Sequence, residues 1–256
     1  MFYQFLSYLK FLLKSTSQYD VHSPFVYDFI AKCLYKKNKS SNHINAFRKS
    51  LLANKNIIEI TDFGAGSRVF KSNKRSISDI AKNAGISIKR GKLLYILTQY
   101  FKPKHILEIG TSLGLATANL SYANTNAKIT TLEGCTETAK IAQMQFDNFD
   151  INNVKIVLGD FKNTLPEIIK DQKYDLIYFD GNHQKEATIN YFNQCLSSIN
   201  NNTVFIFDDI HWSKEMEKAW NYIIDHKKVT ISMDTYQWGI VFFRKEQHKE
   251  HFVIRV

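Results

Sequence analysis

The chain has only three cysteines in 256 residues, Cys33, Cys135 and Cys195, and no two of them stand in a C-x-x-C spacing. An odd, widely spaced set excludes a disulfide framework and a cysteine zinc site, and it fits a reducing, cytoplasmic setting. Long apolar runs are also missing. None reaches the roughly 18–20 residues needed to cross a bilayer, and residues 1–14 lack the basic, apolar, small-residue order of a secretion signal. Acids are scarce in the first part of the chain. Residues 1–105 hold 19 Lys and Arg against 5 Asp and Glu, a net +14, whereas residues 106–256 hold 15 against 19, a net −4. The excess marks either a solvated basic face or a segment that meets something anionic, such as RNA, a phosphorylated substrate or a membrane surface. There is no internal repeat and no low-complexity tract.

What is present is ample material for a core, with 44% hydrophobic and 14% aromatic residues. The length suits one large domain, or a core of about 150 residues with an added N-terminal unit. The pattern divides into a basic, largely helical extension or lid over residues 1–75 and a main domain over residues 76–256. Phe2 to Lys14 has helical spacing, many aromatics and only lysine as charge. It reads as an interfacial membrane anchor, or as a helix packed on the body or on a second copy in a homodimer. Ser23 and Pro24 fit the N-cap and first residue of a helix reaching about Tyr35, and Lys36 to Asn45 reads as a polar loop. Two helices are expected over 76–84 and 88–101, ahead of Pro103.

From there strands and helices alternate. Strands are expected at 105–109, 128–133, 154–158, 174–180 and 203–208, with helices at 114–123, 136–149, 162–170, 184–198 and 213–225. Two more strands, 229–235 and 238–244, are joined by a turn near Gln237. The fold class is therefore α/β: a doubly wound, seven-stranded, mostly parallel sheet with one antiparallel strand near its edge.

The most telling corner follows the first of these strands. Glu108-Ile109-Gly110-Thr111-Ser112-Leu113-Gly114 runs from an apolar strand through a glycine turn into a helix. Gly110 and Gly114 leave bare backbone and a helix N-terminus for an anionic or nucleotide ligand. A second acid-and-glycine run, Asp62-Phe63-Gly64-Ala65-Gly66-Ser67, is a decoy: residues 68–75 after it read as neither helix nor strand. It is expected as a loop over the site, with Arg68 as a substrate contact. Glu133 ends the second core strand, 23 residues beyond Gly110, where a βαβ nucleotide site places a carboxylate for ribose hydroxyls. Gly159 and Asp160 end the third, within reach of an adenine amino group.

The fourth strand ends in Asp180-Gly181-Asn182-His183 and the fifth in Asp208-Asp209-Ile210-His211. In sheets of this kind ligands lie beyond the carboxyl ends of the strands, so these acids are expected to converge. Three converging carboxylates repel one another unless they protonate or share a cation, and all-oxygen ligands select Mg²⁺, Mn²⁺ or Ca²⁺ over zinc. The alternative is helix N-capping by Asp180 and Asp208 without metal.

With these residues in view, the chain from about Lys89 to Arg244 resembles the class I S-adenosylmethionine-dependent methyltransferases. Within that class it is similar to the metal-dependent catechol-type and the macrolide-sugar O-methyltransferases. The resemblance implies a Rossmann-like fold and S-adenosylmethionine as methyl donor. Its first motif falls on Glu108, Gly110 and Gly114, with Thr111 and Ser112 in the turn. The ribose acid falls on Glu133 and the adenine-side residues on Asp160 and Phe161, after Gly159. Asp180 is shared between the cofactor and metal sets, and Asp208 and Asp209 complete the metal set. The catechol type carries its base three residues after the first metal aspartate, at His183 here, while the macrolide type has Asp-Asp-x-His, matched by His211. Either histidine fits the base. The implied acceptor is a hydroxylated small molecule or sugar, with a hydroxylated tRNA base as the alternative. A nicotinamide oxidoreductase would share the glycine corner but gives no reason for paired aspartates. An amine methyltransferase acting on nucleic-acid bases would carry Asn/Asp-Pro-Pro-Tyr/Phe after the fourth strand, where this chain has Asp-Gly-Asn-His.

Overall fold

Strand–helix alternation from residue 105 onward is realised in the computed structural model, which describes residues 2–36, 41–61, 63, 64, 66, 70 and 72–256. In chain order, the elements begin with α1 (Phe2–Lys14), α2 (Pro24–Phe29, continued by a π-helical turn Ile30–Leu34) and α3 (Asn42–Ala53). The short strands β1 (Ile57–Glu59) and β2 (Lys74–Ser76) come next, then α4 (Ile77–Asn83) and α5 (Ile88–Phe101). The alternating part comprises β3 (His105–Ile109), α6 (Leu115–Ala123), β4 (Lys128–Glu133), α7 (Thr136–Asn148), β5 (Val154–Leu158) and α8 (Phe161–Ile169). It continues with β6 (Leu176–Phe179), α9 (Lys185–Cys195), β7 (Val204–Asp208), α10 (Lys214–Asp225), β8 (Ile231–Asp234), β9 (Trp238–Phe242) and β10 (Glu250–Val253).

Local chemistry sets many of these boundaries. Ser23, Ser76, Ser87 and Ser213 each accept a backbone N–H of the first turn they cap, which replaces a bond the helix cannot make internally. Helix α5 stops at Lys102, which takes a left-handed conformation ahead of Pro103.

Packing divides the chain into two compact units, Met1–Tyr35 with Leu165–Val256, and Lys36–Thr164. In the second, β3, β4 and β5 run parallel in that order. β3 is buried along nearly its whole length, and α5 packs on α6. In the first unit the strand order is β10-β8-β9-β7-β6. β6 and β7 are parallel and fully buried, β9 runs antiparallel to both β7 and β8, and β10 joins β8 in parallel. Phe179, Phe192, Phe205 and Phe207 pack ring on ring around β6 and β7. The long sheet thus has eight strands, mostly parallel.

Three differences from the sequence reading are informative. The sheet has an eighth strand, Glu250–Val253, which lies on an edge with its first two residues exposed and so carries no apolar pattern. Lys74–Ser76, expected to be no strand, pairs antiparallel with Ile57–Glu59. Three-residue strands that expose most of their side chains lack the alternation that betrays longer ones. Helix α3 starts at Asn42, inside the span read as a loop, and buries only Phe47 and Leu51. Arg68 and Asp62 lie outside the described residues.

Candidate active site

In the unit Lys36–Thr164 the site is built around the β3–α6 corner. Gly110 and Gly114 both take positive φ (107° and 77°), as the turn requires. At Gly114 the space is also filled, because a Cβ there would stand 2.6 Å from Cε1 of Phe146. Glu108 is completely buried. Its Oε2 accepts the hydroxyls of Thr117 on α6 (2.5 Å) and Thr131 on β4 (2.6 Å), and its Oε1 has no partner. Burial pushes its carboxyl up to about 7, against the lowering effect of the two threonines. Thr111 and Thr131 share a hydrogen bond of 2.6 Å, so one buried network ties the strand, the turn and the helix together.

Glu133, at the end of β4, is held from two sides. Its Oε2 accepts the N–H of Ser112 in the turn (2.6 Å) and its Oε1 the N–H of Cys135 (2.8 Å). Burial raises its carboxyl, and the backbone donors from Cys135 and Ser112 pull it down. The side chain is therefore fixed against the glycine turn as an acceptor. Gly159 follows β5 with φ 143°, and Asp160 caps the start of α8 by accepting the N–H of Lys162 (3.0 Å).

In the other unit, the ends of β6 and β7 bring two carboxylates together. Tyr178 and Asp180 point to the same side, being two residues apart along an extended chain. The Tyr178 hydroxyl lies 3.2 Å from Oδ2 of Asp180 and 3.1 Å from Oδ2 of Asp208. Asp208 is buried, and its Oδ1 accepts the N–H of Asp209, whose φ of 53° turns the chain sharply. His183 Nε2 stands 3.7 Å from Oδ1 of Asp180, with part of the ring open to solvent. His211 is placed differently. Its Nε2 is 2.7 Å from Oδ2 of Asp234, its Nδ1 is 3.2 Å from the hydroxyl of Ser7 on α1, and its ring stacks on Tyr236. Both ring nitrogens are therefore engaged.

A methyltransferase-domain family model matches residues 107–210, the stretch from the glycine turn to the paired aspartates. Two curated relatives are catechol O-methyltransferases. That of Niastella koreensis is 29% identical over 129 residues, covering 49% of this chain and 58% of the relative. That of Mycobacterium tuberculosis is 26% identical over 127 residues, covering 49% and 56%. Residues 107–210 form a methyltransferase domain, and the relatives and the fold support the class I S-adenosylmethionine-dependent kind. Among solved structures, the fold is similar to the SAH-bound methyltransferase PaMTH1 of Podospora anserina, with a TM-score of 0.64 at 15% identity over 88% of this chain and 97% of that one. It is also similar to the O-methyltransferase TomG of Streptomyces achromogenes in complex with SAM, with a TM-score of 0.60 at 16% identity over 80% and 91%. The chain spans just over half the length of the curated relatives it matches.

Within this methyltransferase domain, the residues read from the sequence fall into two sets. Glu108, Gly110, Thr111, Ser112, Gly114, Glu133, Gly159, Asp160 and Phe161 belong to the first-described corner and the strand ends beside it. Asp180, His183, Asp208, Asp209 and His211 belong to the β6 and β7 ends of the other unit. Among the described residues no group of three or more His, Cys, Asp or Glu side chains is gathered in metal-holding geometry. Sequence reasoning missed Tyr178, which joins the two aspartates. Its signal was its place two residues before Asp180 in a strand. It also missed Asp234 and Ser7, which engage His211 from distant elements and left no local signal.

Proposed function

We propose that the chain transfers the methyl group of S-adenosylmethionine to a hydroxyl of a small molecule or sugar, with a divalent cation at the β6 and β7 ends. The observation that carries this reading is the pairing of Asp180 and Asp208 on one phenol. Both acids bring an Oδ2 to within 3.2 Å of the same phenol oxygen, so two like charges approach one another there. A hard cation relieves that conflict, and the all-oxygen donor set of Asp180 and Asp208, with Asp209 next in the chain, fits Mg²⁺, Mn²⁺ or Ca²⁺. When bound, the ion would lower the pKa of the acceptor hydroxyl.

The chain's own residues then have distinct roles. Bare backbone at Gly110 admits the donor against the α6 N-terminus, Gly114 lets Phe146 close against the turn, and Glu133 accepts from the donor's ribose hydroxyls. His183, the histidine beside Asp180, takes the acceptor's proton. Proton removal of this kind contributes about 10²–10⁴ in rate. His211 has its nitrogens occupied by Asp234 and Ser7 and serves to hold its loop. Transfer from a sulfonium to an oxyanion neutralises charge, so a dry pocket and alignment supply much of the remaining rate.

The test is tritium transfer from labelled S-adenosylmethionine to a panel of catechols and hydroxylated sugars, with and without EDTA. Loss of transfer in EDTA and in Asp208→Asn, with donor binding retained, supports the reading. Full activity of Asp208→Asn in excess EDTA removes the metal from it.

A further inference from the structure

Helix α1 is amphipathic in the reverse sense of a helix packed on a core. At about 100° per residue, Phe5, Leu6, Leu9 and Leu13 fall on one face within an arc of about 100°. All four are exposed, by 59%, 41%, 41% and 88%. The opposite face carries Ser7 and Phe11, both buried, together with Tyr3. That inner face is tied down largely by polar bonds. Tyr3 donates to Glu217, Ser7 meets His211, and the carbonyl of Gln4 accepts the Tyr236 hydroxyl at 2.7 Å. Phe11 and Tyr8 add ring contacts to Tyr236. Beneath the helix lies a cavity of about 170 Å³ lined by Lys10, Lys14, His211, Glu217 and Asp234 among others. Helix α10 in the same unit shows the ordinary arrangement, burying Met216, Ala219, Trp220 and Ile223. The hydrophobic side of α1 is therefore turned outward while its polar side is turned in.

We propose that the outer face of α1 docks on an anionic membrane surface. Four part-exposed side chains of this size offer on the order of 400 Å² of apolar surface. That matches the patches that mark interaction sites and is about half of the roughly 800 Å² per partner of a stable protein interface. A second copy of the chain is thus poorly matched to so small a face. The charge points the same way. No acid occurs before Asp20, and the exposed Lys10 stands about 40° from Leu6 on the flank, with the exposed Lys14 one turn further along and nearer Ser7. At 13 residues the helix is too short to cross a bilayer, and no helix among the described residues is long and apolar enough to do so. It therefore lies in the interface plane, with Phe5, Leu9 and Leu13 in the acyl boundary and the flanking Lys10 at the headgroups. Such docking places a methyltransferase domain where amphiphilic hydroxylated acceptors collect, although the docking does not depend on the methyl-transfer reading.

The experiment is flotation of the full chain with phosphatidylcholine vesicles, with and without phosphatidylglycerol. Binding to the anionic vesicles is expected to be about 5-fold tighter for the one flanking lysine, and to weaken with salt. Leu9→Glu combined with Leu13→Glu should abolish it while leaving the thermal melt and S-adenosylmethionine binding unchanged, because both side chains point away from the body. Failure of the intact chain to float with either vesicle overturns the proposal. So does a dimer in sedimentation that the same double substitution dissolves, since a second copy then covers the face. Equal binding to neutral and anionic vesicles overturns the anionic part.

Discussion

Replacing Glu108 by Gln should make the protein more stable in mildly alkaline solution. The carboxyl is completely buried, and its folded-state value is about 7 against an ordinary 4.5. Between those values the folded chain keeps a proton that the unfolded chain has released. Stability is therefore full on the acid side and declines as the pH rises from 4.5 through 7. The gap corresponds to a loss of about 3 kcal/mol once the acid is ionised. Glutamine is neutral at every pH, and its amide oxygen still accepts from Thr117 and Thr131. Urea unfolding near about pH 8.5 should show Glu108→Gln more stable by about 2–3 kcal/mol, with the difference shrinking to under about 1 kcal/mol near about pH 5. Because no part of Glu108 reaches the surface, donor affinity should stay within about threefold of the parent. A variant that is less stable than the parent at the alkaline pH refutes the reasoning and shows that the ionised acid is solvated or paired.

Other expectations follow from the same geometry. His183→Gln should lower kcat by about 10²-fold or more with donor binding intact, whereas His211→Gln should leave kcat within about threefold and lower the melting temperature; paired rate and melting measurements separate the two histidines. Asp180→Asn and Asp208→Asn should each cost at least about 10²-fold in transfer rate, and calorimetric titration of S-adenosylmethionine should show affinity unchanged. Gly114→Ala places a methyl group against Phe146 at a positive φ, so a destabilisation of about 1–3 kcal/mol and weaker donor binding are expected; Phe146→Leu on the same background should recover only the part due to contact.

The glycine corner and the strand ends beside it were legible because their signals are local. A glycine turn that needs positive φ, an acid at a strand end and a helix start lie within a few residues of one another, and Glu133 follows at the spacing that a βαβ unit imposes. The β6 and β7 ends were legible as acid clusters, but their roles were not. The sequence treated His183 and His211 alike. Their difference comes from Asp234 and Ser7, which reach His211 from β8 and α1 across 23 and 204 residues of chain. Glu108 reads as a motif acid in the sequence. Folding encloses it beneath two threonines and makes it part of the frame that holds the turn.

The sequence by itself determined the α/β class, the positions of the main strands and which acids and histidines stand at each strand end. These follow from periodicity and backbone rules that act over neighbouring residues. Only the tertiary structure decided that Tyr178 would bind two aspartates at once, that one histidine would be tied down and the other left beside Asp180, and that α1 would turn its leucines outward. Such outcomes depend on which distant surfaces meet, and hydrogen-bond partners far apart in the chain leave no trace in local pattern.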